Sequence, residues 1–119
     1  MLSKGNVIFT KNTHEDDLTA VLKVLSAYDY LKLVERVDAY AEASGEERFL
    51  ADKASEGKWE EPEFVALKKA AEKLKGNETA AGTLWGLLVF SVLFERQDKT
   101  WAVSKNYHQK TNEYTLVKE

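Results

Sequence analysis

Between Glu78 and Glu95 runs a stretch of sixteen residues, Thr79 to Phe94, without a single charged side chain, in a chain where 31% of residues are charged. A membrane-spanning helix needs roughly 20 apolar residues, whereas runs of about 10–14 are more often buried core elements. This stretch lies between those cases and carries Gly82, Thr83, Gly86 and Ser91 inside it. It is expected to be the central core element, with no membrane contact, and the charge-studded remainder must fold around it. Gly82 and Gly86 stand four residues apart, and small residues at that spacing let a second helix approach closely. The expectation is a tight contact with another helix of the same chain; a homodimer through Gly82 and Gly86 is the alternative.

Length sets the next bound. A chain of 119 residues makes one domain, here 1–119, able to bury roughly two-thirds of its unfolded surface without a staple. The sequence has no cysteine, which excludes a disulfide framework, a thiolate zinc site and a cysteine nucleophile. Met1 to Lys11 offers only Val7, Ile8 and Phe9 as an apolar stretch, too short for a secretory signal. These features favour a cytoplasmic location.

The net charge of -3 conceals a division. Residues His14 to Glu63 carry a charge of -8, and Phe64 to Glu119 carry +3. Such asymmetry bears on partners and association rate rather than on fold, so the acidic half is a candidate face for a basic partner.

Local signals then place the elements. Asn6 to Thr10 reads as a short strand from Val7, Ile8 and Phe9. Thr13 suits an N-cap, with Glu15, Asp16 and Asp17 in the first turn of a helix ending near Ala27. Its apolar face is Leu18, Val21, Leu22 and Leu25. Asp29 can cap a second helix with Tyr30, Leu33, Val34, Val37 and Ala41 inward, stopped by Gly45. Ser44 and Glu47 have capping-box spacing, predicting a short third helix with Phe49, Leu50 and Ala54 inward and Gly57 at its end. Pro62 fits the first position of a fourth helix, with Phe64, Leu67, Ala71 and Leu74 inward and Gly76 closing it. Asn77 is the natural cap of the apolar run, which is expected to stay helical to about Glu95; the alternative ends it near Leu88 and makes Val89 to Arg96 a strand. Thr100 to Tyr107 and Tyr114 to Val117 alternate apolar and polar residues, so the chain should close in a hairpin whose loop is His108 to Asn112. The fold class is therefore α+β and mostly helical: about five short helices around the central apolar helix 79 to 94, with a small antiparallel C-terminal hairpin and an N-terminal strand.

No constellation demands catalysis. His14 and Asp17 share a helix face, but a useful metal site needs three or four convergent donors and the other histidine, His108, is remote in sequence. Glu60, Glu61 and Glu63 could form an acid and base pair only in contrasting environments, and acids around Pro62 are what a helix start attracts. Ser91 is expected to bond back to its own helix. No nucleophile elbow, zinc-protease motif, phosphate loop or dinucleotide fingerprint occurs. No cofactor is called for.

Two binding readings follow. The first is a non-enzymatic protein-interaction domain, acting stoichiometrically through the acidic helical face of Glu15, Asp16 and Asp17 on another, basic protein. By analogy of size and charge it belongs with small inhibitors, immunity proteins, phage accessory proteins and adaptors. The second is a nucleic-acid-binding module, in which Lys99, Trp101, Lys105, Tyr107, His108 and Lys110 of the hairpin supply stacking faces and cations, extended by Lys68, Lys69, Lys73 and Lys75. The acidic net charge favours the first.

Overall fold

The apolar run does form one helix, and four others among the described residues pack around it. The computed structural model describes residues 1–44, 49–106 and 111–117. Helices α1 (Glu15–Val24), α2 (Ala27–Ser44), α3 (Ala51–Ser55) and α4 (Pro62–Lys75) all pack on α5 (Ala81–Glu95). Beside them lies a five-stranded sheet of β1 (Leu2–Lys4), β2 (Val7–Ile8), β3 (Phe49–Leu50), β4 (Trp101–Asn106) and β5 (Thr111–Leu116). The architecture is α+β and mostly helical, with α5 at its centre.

Helix α5 stays helical to Glu95 although Val89 to Phe94 is rich in strand formers, because burial overrides propensity there. Every residue from Leu87 to Leu93 is buried. By length and composition the segment Glu78–Glu95 could cross a membrane, yet half of it is buried inside this fold. Trp85 is the pivot of its N-terminal half: the ring packs on Phe64, which meets Trp59 edge-on, and the indole Nε1 donates to the Ala51 carbonyl at 2.7 Å.

Several local signals are realised as the sequence predicts. Pro62 opens α4, and Gly76 closes it in the left-handed region at φ 71°, a conformation that glycine adopts without steric cost. The Asn77 side chain accepts from the Thr79 amide, capping a 3-10 turn that leads into α5. Others are displaced. The cap before α2 is Ser26 rather than Asp29: its hydroxyl accepts from the Asp29 amide and donates to the Asp29 carboxylate, so Asp29 sits inside the helix as the reciprocal partner. Thr13 is not the cap of α1; the Asn12 side chain accepts from the His14 amide instead. Leu22, expected to face inward, is 42% exposed.

The sheet is where sequence periodicity says least. Its strand order is β2-β1-β4-β5-β3. The expected strand from Asn6 to Thr10 is confined to Val7–Ile8, and a strand the sequence did not announce, Leu2–Lys4, pairs with it across a turn at Gly5, whose φ of 60° favours glycine. β1 then pairs in parallel with β4, Leu2 opposite Trp101. Phe49 and Leu50, expected in a helix, pair with Tyr114 and Glu113 as an edge strand before the chain turns into α3. The expected capping box at Ser44 and Glu47 and the stop at Gly45 fall on or beside residues 45–48, outside the described residues. The C-terminal hairpin forms, but its second strand begins at Thr111, opposite Asn106, so Asn112 lies in β5 and not in the loop. Thr111 to Glu113 carry no apolar period; cross-strand pairing with Ser104 to Asn106 makes them a strand.

One correction concerns the glycine pair. A Cβ placed on Gly82 or Gly86 would meet nothing within 4 Å among the described residues. No helix among those residues lies against the pair, and Gly82 is exposed.

Candidate functional site

The space above Gly86 is part of a cleft. A cavity of about 430 Å³ opens between the start of α1, the end of α4, the first half of α5 and the beginning of β5. Val21, Leu74, Leu84 and Leu87 make its apolar floor, and Gly86 leaves room there, since even a Cβ added to it would meet nothing within 4 Å. His14 and Asp17 line it from α1, Lys75 from α4 and Asn112 from β5. A concave, mainly apolar site with a few converging polar groups is the usual form of a binding pocket.

Each wall is held by identifiable contacts. Asn12 is buried and donates to the Ser91 hydroxyl at 3.0 Å while accepting from the His14 amide at 2.9 Å, which seats the start of α1 on α5. Ser91, expected to bond back to its own helix, is thus engaged by another segment. The His14 ring meets Phe90 edge-on with centroids 4.8 Å apart. On the opposite side, burial pushes the Tyr114 hydroxyl well above the ordinary tyrosine range, with the neighbouring Asn112 side chain working against that rise.

The acids named from the sequence land here in part. Glu15, Asp16 and Asp17 are exposed in the first turn of α1. Asp17 reaches the cleft, whereas Glu15 and Asp16 stand outside it. Of the residues lining the cleft, the sequence singles out His14 and Asp17 on one helix face, Gly86 as half of the small-residue pair and Lys75 among the cations of α4, and places Asn112 only in a loop. Gly86 and Thr83 within an apolar run were the available signal for an opening; nothing in the local sequence announces that Lys75 and Asn112 meet there.

The alternative surface is dispersed. Trp101 is 2% exposed and Tyr114 0%, so both rings are core and neither can stack a base. Lys105 is exposed, and Lys99 lines a second cavity of about 300 Å³ in company with Asp38, Glu42 and Asp98. Tyr107, His108 and Lys110 lie outside the described residues. On α4, Lys69, Lys73 and Lys75 are exposed and Lys68 sits 3.7 Å from Glu60.

Three other carboxylates, Asp38, Glu61 and Glu63, tie elements together. The Arg36 guanidinium of α2 contacts both Glu61 and Glu63 at the start of α4, with Nε 3.1 Å from Glu63. Burial alone would raise the Glu63 carboxyl, but its own backbone N–H and Arg36 outweigh that and hold it below the usual range. Arg96 ties the end of α5 to Asp38 of α2 in the same way. Among the described residues no three His, Asp or Glu side chains gather as metal ligands would.

No protein-family model matches the chain, no curated protein matches its sequence, and no solved structure matches its fold.

Proposed function

We propose that the protein is a non-catalytic interaction domain that holds a segment of a basic partner protein in the cleft beside the acidic first turn of α1. The observation that supports this most directly is the meeting at one cleft of Asp17, from the acidic run, and Gly86, from the small-residue pair of the apolar helix. The floor offers apolar area to bury, and the exposed acids beside it offer electrostatic guidance, which raises the rate of encounter with a positively charged partner and selects against acidic ones. Stoichiometric inhibitors, immunity proteins and adaptors act by presenting such a face, and a cytosolic setting belongs to the same proposal. A nucleic-acid role draws no support from Trp101 or Tyr114, whose rings are buried. A second copy docking over the open Gly82 and Gly86 stripe is the competing occupant.

The test is affinity capture from the native host, followed by association kinetics of the captured protein with the parent and with an Asp16→Lys/Asp17→Lys variant. Exposed charges contribute little to stability, so the variant should fold. It is expected to associate more slowly and with a flatter salt dependence. Unchanged kinetics would remove the acids from the interface, and a parent that sediments as a dimer without partner would assign the stripe to self-association.

A further inference from the structure

We draw no further inference here: the strongest candidate, the Gly82 and Gly86 face of α5 with the cavity of about 460 Å³ that it shares with α3 and Trp59, is a stripe of small residues, and nothing in the structure shows what covers it.

Discussion

The indole nitrogen of Trp85 donates to the backbone carbonyl of Ala51 at 2.7 Å, joining the central helix to the first residue of α3 across thirty-four positions of sequence. Both residues are buried. Replacing Trp85 by Phe keeps an aromatic ring against Phe64 but removes the indole donor to a helix-start carbonyl, at the cost of an ordinary net hydrogen bond, about 0.5–1.5 kcal/mol. Urea denaturation should show that loss with a retained cooperative transition. A Phe variant as stable as the parent would mean that the Ala51 carbonyl finds another donor.

The open face of α5 gives a prediction of opposite sign. Gly86 is a helix-interior glycine, and a Cβ added there would meet no atom of the described residues within 4 Å. Gly86→Ala should therefore raise stability by about 0.5–1 kcal/mol through helix propensity alone. Gly86→Leu should fold as well, yet fill the cleft and weaken partner binding. Thermal melts of the two variants, set beside binding assays, separate an open groove from a packed contact; a destabilised Ala variant would indicate the latter.

Trp101 is predicted to behave as a core residue. Truncation to Ala should cost roughly 3–5 kcal/mol, the usual range for a buried aromatic. Single-stranded oligonucleotide binding at physiological salt should be absent in the parent. A stable Trp101→Ala protein, together with salt-sensitive oligonucleotide binding by the parent, would restore the nucleic-acid reading.

Glu63 should set part of the acid sensitivity. Its carboxyl is held below the ordinary range in the folded protein by its backbone N–H and by Arg36, against the opposing effect of burial. A folded pKa lower than the unfolded one contributes stability that is present above the unfolded value and is lost as pH falls through the folded value. Urea midpoints taken from about pH 7 to about pH 3 should therefore decline in the parent and decline less steeply in Glu63→Gln. The exposed Glu60→Gln serves as control and should keep the parental slope.

The helices were legible in the sequence because their signals are local. Pro62, Gly76 and Asn77 mark boundaries by their own backbone chemistry, and the uncharged run from Thr79 to Phe94, short for a membrane span, reads as interior. The sheet was less legible. Phe49 and Leu50 are strand because Tyr114 and Glu113 stand opposite them, and Leu2 is strand because Trp101 does; neither pairing leaves a mark in the residues next to it. The cleft divides the same way. Asp17 stood out among the acids around it, whereas Lys75 read as one of the cations of α4 and Asn112 as a loop residue, and both reach the cleft only through the packing of α4 and β5. The glycine pair misled for a physical reason: the spacing that admits a neighbouring helix is equally the spacing that leaves a helix face bare.

The parallel pairing of Leu2 with Trp101 carries a consequence for how the chain reaches this state. Closing so long a loop early is entropically unfavourable, and ladders between distant segments form slowly. The helices, whose contacts are nearer in sequence, are expected to assemble first and bring β4 and β5 to the surface, where β1 docks last. Until it does, β4 is an open edge with unpaired backbone groups, and it is in that interval that the nascent protein is most exposed to pairing with the wrong chain.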